Sequence, residues 1–427
     1  MKRMLTMVLL VTLMVSLLGG AAVAEAKPEK LSCLIWGSVE AQQTYDQLIE
    51  EHFEKPYGIE VETILVPEVD FYEKLTIMLA TDTAPDVCWV YDDSFEVYLQ
   101  AGMLADLTEL ANDPEFDYPD VVEAQRISYS KNGIPYAMPF SAPSLVLFYN
   151  KTAVEAAGLE TPNALYEKGE WTSEKFYEYI LKLNNPEAGV YGVNFTRAAD
   201  WASWTTAMLP VMRSFGVQNF WSEDGKEWLM NSEEAVSALT MFGDLMFKHN
   251  AHPKPGDSAD FVAGQCVFYP SFFSDTRKMV DLGFEWDCAP MPVAANGTYS
   301  GWMGTAGIGV VEGSKNKEWA FELVKVLGGK DFMAAMANTY VPPRTSILSS
   351  DEYVTGNNGE VPRPSVEHYQ QSVLDYANEI RGKQLHVNIK YINDIVTTNL
   401  EAFYMQAIDA RECLQTIEDE VAVYMLP

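Results

Sequence analysis

The sequence predicts an α/β fold built on a mostly parallel, doubly wound sheet. In the first hundred residues, short apolar runs at 31–36, 59–66 and 87–91 have the pattern of strands. Segments between them carry apolar residues at helical spacing, most clearly at 71–79. Strands separated by single helices imply right-handed crossovers and parallel pairing. Ligands of such sheets bind beyond the carboxyl ends of the strands.

The same alternation continues along the chain, with a more helical and more aromatic texture after the Pro-rich stretch 134–143. Thr172 has the position of an N-cap for a helix over 174–183. Asn231, with Glu234 three residues later, resembles a capping box. Further strand patterns lie at 144–149, 266–269, 284–288 and 307–311, and helical patterns lie at 317–327 and from about 365 to the C-terminal region.

Composition limits both the architecture and the partners. The chain has 427 residues, 48% of them hydrophobic, which indicates two or three domains or one large two-lobed unit. It has 61 acidic and 29 basic side chains, for a formal charge of −32. Because phosphate backbones and anionic lipids recruit Lys and Arg, this balance argues against a nucleic-acid or anionic-membrane surface. A neutral or locally neutralised ligand fits better.

The N-terminal segment predicts secretion. Lys2 and Arg3 precede an apolar run at 4–18, and Ala24-Glu25-Ala26 matches an A-x-A cleavage site. We expect residues 1–26 to be a removed signal peptide rather than a membrane anchor, because the apolar core is short for a span. Cys33 lies well beyond that core, so no lipid-modified cysteine is expected. The mature protein is expected to be periplasmic or extracellular, without membrane insertion.

Cysteine usage is sparse. The five cysteines are scattered and odd in number, which argues against a disulfide framework and predicts that most are buried thiols.

The order of short motifs resembles the family 1 extracellular solute-binding proteins, the sugar receptors of bacterial ABC importers. The resemblance covers nearly all of the chain after residue 26. No single motif carries it, and the strength of the match is that many occur in family order. They are DFYEKL at 70–75, ATDTAPDV at 80–87, AGMLADL at 101–107, GIPY at 133–136, LFYNK at 147–151, AAGL at 156–159, NSEEAV at 231–236, FVAGQC at 261–266, APMP at 289–292, GSKNKEWAF at 313–321 and VPPR at 341–344.

This resemblance implies a two-lobed periplasmic-binding-protein-like fold of type II, with hinge crossings and a ligand cleft between the lobes. In that layout residues 27–141 and 284–328 form lobe one, and residues 142–283 and 329–427 form lobe two. It further implies a monomer that captures a mono- or oligosaccharide by hinge closure and delivers it to ABC permease subunits, without a cofactor. Binding of a glycerol-phosphate compound by the same fold is an alternative.

Lobe one offers candidate ligand contacts at its strand ends. Trp36, Ser38 and Glu40 follow the first strand, although Trp36 could belong to the core and Glu40 could be a helix N-terminal charge. Asp92 and Asp93 follow the third strand, where an ionised carboxylate suits a sugar diol. The resemblance aligns Asp93 with a ligand-contacting carboxylate. Ser141, at the first crossing between the lobes, is another candidate.

Lobe two offers mainly aromatic candidates, because the face of a ring suits the C–H face of a pyranose. Trp201 and Trp204 are three residues apart and share a helix face, a spacing that is also usual for core residues. Relatives place stacking residues in that stretch. The other candidates of this lobe are Phe272 and Phe273, after a strand, and Arg344, which could equally pair with surplus acid. A further aromatic candidate is Trp302, in a glycine-rich turn of the lobe-one segment 284–328.

An enzyme is the main alternative class. A secreted protein rich in Trp and carboxylates could be a glycoside hydrolase, but the sequence isolates no pair of carboxylates for that chemistry. It contains no Gly-x-Ser-x-Gly motif. His249 and His252, near Asp257, could ligate a metal, but a helix C-terminus attracts histidine anyway. We therefore expect a binding protein with neither catalytic residues nor a metal.

Overall fold

The computed structural model describes residues 27–67, 70–81, 83–196, 204–222, 224–377, 386 and 388–425. Within these ranges the strands, in chain order, are β1 Lys30–Trp36, β2 Glu60–Val66, β3 Val87–Tyr91, β4 Ser130–Lys131, β5 Ile134–Pro135, β6 Met138–Ser141, β7 Leu145–Asn150, β8 Tyr191–Val193, β9 Cys266–Phe272, β10 Trp286–Ala289 and β11 Ala306–Val310. One sheet has the order β2-β1-β3-β11-β6, a second has the order β10-β7-β9-β8, and β4 pairs with β5. We call the part built on the five-stranded sheet the first lobe and the part built on the four-stranded sheet the second lobe.

Strand direction follows from where the chain passes between the sheets. β1 pairs in parallel with β2 and β3, and β8 pairs in parallel with β9, as the sequence predicts. β7 and β11 each begin directly after a passage from the other lobe, and each runs antiparallel to its neighbours. Each sheet therefore contains both parallel and antiparallel pairs. A strand that arrives from the other lobe enters the sheet at the end where the neighbouring strands finish, so it runs in the opposite direction.

Helices cover the faces of both sheets. Their starts are set by local capping: the Thr172 side chain accepts a hydrogen bond from the amide of Lys175 at 3.3 Å, which confirms the predicted cap. Two π-helical turns, Glu50–Glu54 and Gln370–Leu374, continue helices that precede them, and 3-10 turns lie at Tyr118–Asp120, Pro186–Ala188, Phe273–Lys278 and Ala422–Tyr424. The α-helices are Val39–Ile49, Lys55–Tyr57, Phe71–Ala80, Asp92–Gln100, Thr108–Ala111, Glu123–Ser128, Lys151–Ala156, Pro162–Glu167, Ser173–Leu183, Trp204–Arg213, Glu233–Phe247, Lys317–Leu327, Lys330–Met336, Thr345–Leu348, Asp351–Val354, Gly356–Gly359, Val366–Tyr369, Ile389–Tyr404 and Ala410–Val421.

The capping box predicted at Asn231 is wrong by one residue. Ser232 caps the helix Glu233–Phe247 by accepting a hydrogen bond from the amide of Ala235 at 3.2 Å. The Asn231 side-chain amide instead donates to the Glu418 carboxylate at 2.7 Å, on the C-terminal helix. The Asn231 side chain, which the local sequence predicts to cap the helix, instead binds a residue that is distant in the sequence.

Each lobe has its own core, and two segments lie on the opposite side from the one expected. β10 pairs with β7 in the second sheet, so the chain returns to the first lobe after Ala289 rather than before residue 284. The helix Lys330–Met336 packs on the first core, where the ring of Phe332 meets that of Tyr45 edge to face at 5.4 Å. The last passage to the second lobe therefore follows this helix rather than residue 328.

The five cysteines are all buried and free, as the sparse pattern predicts. Burial raises the pKa of each thiol, for example to about 12 for Cys88, which keeps the sulfur protonated at neutral pH. In the described part of the chain, none of the helices combines the length and apolarity needed to cross a membrane.

Candidate functional site

Three passages of the chain join the two lobes, and hydrogen bonds tie them together. The amide of Ala142 donates to the carbonyl of Val341 at 2.8 Å. The amide of Gly304 donates to the carbonyl of Pro143 at 2.9 Å, and the amide of Leu145 donates to that of Trp302 at 2.8 Å. Because only three residues separate β6 from β7, the edges of the two sheets must approach each other here. We call these facing edges the crossing edges.

The second passage packs closely at Gly304, where a larger residue would crowd its neighbours. A β-carbon at Gly304 would lie 3.1 Å from the ring of Phe272 and 3.2 Å from the ring of Pro143. Phe272 also meets Trp302 edge to face at 4.9 Å between ring centroids. The rings of the second lobe thus pack directly against the backbone of the passage.

An aromatic cluster forms the crossing edge of the first lobe. Trp36 ends β1, keeps 9% of its surface exposed, and stacks on Tyr91 with centroids 3.6 Å apart and planes 19° apart. Trp89 and Phe71 approach Trp36 edge to face at 4.8 and 5.0 Å. The neighbours of Trp36 enclose it, whereas Tyr91 is half-buried, with its hydroxyl oxygen buried, and is the more exposed ring of the stack. Sequence reasoning noted Tyr91 only as a strand end.

Tyr340, on the third passage, closes one side of this cluster. Its ring meets Trp89 and Phe140 edge to face at 5.7 and 5.6 Å. Its hydroxyl lies 3.9 Å from the place that a β-carbon would occupy at Gly37. Burial raises the pKa of Tyr340 to about 12, so the hydroxyl keeps its proton at neutral pH. In the sequence, the only indication that Tyr340 lies at this position is that it directly precedes the VPPR motif.

Ser38 and Glu40 lie beside this cluster, at the exposed start of the helix Val39–Ile49. The Ser38 hydroxyl accepts a hydrogen bond from the amide of Ala41 at 3.2 Å and so caps the helix. Hydrogen bonds from its own amide and from Ser38 lower the pKa of Glu40, and its carboxylate is therefore ionised and faces solvent. Glu40 therefore places a negative charge at the helix N-terminus, and its exposed carboxylate can also accept hydrogen bonds.

The other first-lobe candidates occupy the same edge. Ser141 is the last residue of β6, lies opposite Ala306 of β11 and is 7% exposed. Asp92 and Asp93 are the first two residues of the helix Asp92–Gln100, and their side chains lie outside the described part of the structure. Trp201 also lies outside the described residues.

Three aromatic candidates of the second lobe are core residues in this structure. Phe273 is fully buried and meets Tyr369 at 5.3 Å between ring centroids. Trp204 is 2% exposed, with its indole nitrogen donating to the side-chain oxygen of Asn393 at 2.5 Å. Trp302 is 1% exposed. With so little surface exposed, these three rings are core residues, and Phe272 alone among the described aromatic candidates of this lobe is partly exposed.

Arg344 has a structural role. It is fully buried, and its guanidinium donates to the carbonyl oxygens of Phe116 at 2.8 Å, Gly328 at 2.8 Å and Asp117 at 3.1 Å. It also pairs with the carboxylate of Asp120 at 3.5 Å. These contacts fasten the third passage to the first lobe, and Arg344, with no exposed surface, is not available to a ligand in this structure.

The histidines near the helix end at residue 247 do not converge on a metal. His252 is buried, and its ring bonds to the carbonyl of Pro253 at 2.7 Å and accepts from the amide of Phe195 at 3.0 Å. Among the residues that the structure describes, no group of three or more metal-ligating side chains converges.

Comparison with known proteins is consistent with this geometry. The family model described as bacterial extracellular solute-binding protein matches residues 36–334. A mannitol-binding protein of Pseudomonas aeruginosa is 25% identical over 290 residues, covering 64% of this chain and 63% of that relative. An arabinooligosaccharide-binding protein of Bacillus subtilis is 24% identical and covers 84% of each chain.

Solved structures show the same fold. An ABC substrate-binding protein from Listeria monocytogenes, in complex with cycloalternan, superposes with a TM-score of 0.77 at 20% identity, covering 92% of this chain and 98% of that one. A Mycobacterium tuberculosis protein in complex with glycerophosphocholine superposes with a TM-score of 0.75 at 19% identity, covering 93% and 98%. The fold is the two-lobed, type II solute-binding fold, and the chain belongs to the bacterial extracellular solute-binding protein family.

Proposed function

We propose that this protein is the extracytoplasmic receptor of an ABC importer for a sugar or polyol. It would capture the ligand between its lobes without altering it and deliver it to membrane permease subunits. After removal of residues 1–26 it would act as a monomer outside the cytoplasm. The names of the two curated relatives, a mannitol-binding and an arabinooligosaccharide-binding protein, support a hydroxyl-rich ligand.

The observation that carries the proposal is the stacked pair Trp36–Tyr91 at the crossing edge. An aromatic face with ionisable and hydroxyl groups beside it, here Glu40 and Ser38, matches what a sugar presents: apolar C–H faces and polar edges. The three hydrogen-bonded passages allow two rigid lobes to move about a short connection, so a ligand that contacts both lobes stabilises the closed arrangement.

The alternatives are less well supported. A glycoside hydrolase would need two carboxylates flanking one bond, whereas the family is one of binding proteins. A glycerol-phosphate ligand would approach a protein of charge −32 against long-range repulsion.

Thermal unfolding of the mature protein in the presence of mannitol, maltotriose and arabinotriose tests the proposal. A ligand at a hundredfold excess over its Kd adds about 2.7 kcal/mol to the free energy of unfolding, which appears as a higher Tm. Calorimetric titration then gives the stoichiometry, expected to be one. Release of reducing sugar during the titration would identify a hydrolase, and a response to glycerol phosphate alone would identify the other alternative.

A further inference from the structure

A buried hydroxyl without a hydrogen-bond partner lies where the two lobes meet. Thr305 keeps 7% of its surface exposed, and its side-chain oxygen is buried. Within the described part of the chain, no donor or acceptor lies within hydrogen-bonding distance of that oxygen. Burial of a hydroxyl without a partner is unfavourable, because the oxygen gives up its bonds to water, and such groups are rare in folded proteins. The hydroxyl of Thr305 therefore needs a physical explanation.

The residue before Thr305 contacts the second lobe. The amide of Gly304 donates to the carbonyl of Pro143 at 2.9 Å, and a β-carbon at Gly304 would lie 3.1 Å from the ring of Phe272. Phe272 is the last residue of β9 and is partly exposed. Consecutive Cα atoms are about 3.8 Å apart, so Thr305 lies one residue from the position that touches this ring.

The residue after Thr305 belongs to the first lobe. Ala306 begins β11 and lies opposite both Tyr91, the last residue of β3, and Ser141, the last residue of β6. Neighbouring strands are about 4.8 Å apart, so these three strand ends form one row, with Thr305 directly beyond it. Thr305 therefore connects the row that carries Tyr91 to the position that touches the second lobe.

We propose that the Thr305 hydroxyl is a ligand contact at the base of the site between the lobes, and that a hydroxyl of the bound sugar or polyol is its hydrogen-bond partner. This inference rests on the proposed function and names the chemistry of one position in the same site. A threonine hydroxyl both donates and accepts, as a sugar hydroxyl does, so the two groups pair in either direction. A phosphate would have to be buried there as a charge, which is far less favourable. Because the oxygen is covered in this arrangement of the lobes, the ligand reaches it when the lobes separate.

Calorimetric titration of mannitol, maltotriose and arabinotriose into Thr305→Val and Thr305→Ser tests the inference. Valine keeps the shape of threonine but lacks the hydroxyl, so Thr305→Val should weaken binding about fivefold or more. Thr305→Ser keeps the hydroxyl and should retain most of the affinity. An affinity of Thr305→Val within about twofold of the parent would overturn the inference.

Thermal unfolding of the unliganded variants gives a second readout, with Thr276→Val as the matched control. The Thr276 hydroxyl is buried and accepts a hydrogen bond from Arg363 at 2.8 Å, so its loss should lower Tm and change saccharide affinity little. Thr305→Val should instead leave Tm unchanged or raise it, because it removes a buried polar atom that has no partner. A fall in Tm equal to that of Thr276→Val would show that Thr305 bonds within the protein and would overturn the inference.

Failure of the proposed function gives a different result. A parent protein that binds glycerol 3-phosphate and none of the three saccharides would contradict the sugar or polyol assignment. Titration of glycerol 3-phosphate into Thr305→Val would then decide whether Thr305 contacts the ligand. A parent protein that binds none of these compounds would contradict both proposals.

Discussion

Arg213 donates a hydrogen bond from Nη1 to the carbonyl oxygen of Gly301 at 2.5 Å, directly before Trp302 in the second passage. Arg213 is the last residue of the helix Trp204–Arg213 and is 8% exposed. Its Nε also donates to the carbonyl of Gln218 at 2.8 Å. Burial lowers the pKa of Arg213 to about 10, so the buried side chain remains charged at neutral pH. Carbonyl oxygens at a helix C-terminus stabilise that charge.

Arg213 and Arg344 together anchor the passages at opposite ends. Arg213 fastens the second passage to the second lobe, and Arg344 fastens the third passage to the first lobe.

Arg213→Lys is expected to lower the free energy of unfolding by about 1–3 kcal/mol, because one ammonium cannot reach acceptors that lie in several directions. Urea unfolding measures the change. Arg411→Lys is the control: Arg411 pairs with Glu233 at 2.6 Å on the surface, and its replacement should change stability by less than about 0.5 kcal/mol. Equal stability of the two variants would contradict the anchoring role of Arg213.

Arg344→Gln should destabilise the protein by about 3 kcal/mol or more, since it removes the guanidinium that donates to three backbone carbonyl oxygens and the positive charge that pairs with Asp120. If Arg344 contacted ligand instead, the variant would lose saccharide binding while its urea midpoint stayed near that of the parent. Measuring both quantities on the same sample separates the two roles.

Tyr91→Ala is expected to weaken saccharide binding about tenfold, because it removes the more exposed ring of the stack and about 1–2 kcal/mol of contact energy. Tyr91→Phe keeps the ring and should retain most of the affinity. Phe273→Leu provides the contrast: it alters a buried ring and should lower Tm with little effect on Kd. If Tyr91→Ala binds saccharide with the affinity of the parent protein, the proposed site is contradicted.

His252 should make the protein sensitive to acid. Burial lowers its pKa to about 4 in the folded protein, whereas the unfolded chain takes up the proton near pH 6.5. Its contribution is fully present above pH 6.5 and is lost as pH falls toward 4, amounting to about 3 kcal/mol at most. The free energy of unfolding of His252→Gln should therefore fall less between pH 6.5 and 4 than that of the parent. Parallel pH profiles would refute this assignment.

The elements of the fold were predictable because they depend on local patterns. The strands at β1, β2 and β3, their parallel pairing and the helix cap at Thr172 follow from periodicity and from nearby side chains. The capping of the helix Glu233–Phe247 was misassigned because Asn231 binds a residue of the distant C-terminal helix.

The sequence by itself determined the class of fold, the strand ends at which we propose the site, and a composition suited to a neutral or locally neutralised ligand. Only the tertiary structure decided which side chains at those ends are available. Phe272 and Phe273 are adjacent and chemically identical, yet Phe272 is partly exposed, whereas Phe273 is buried and packs against Tyr369. Tyr91, rather than Trp36, is the more exposed ring of the stack. The exposure of a residue depends on which distant segments pack over it, and the local periodicity of the sequence does not reveal that packing.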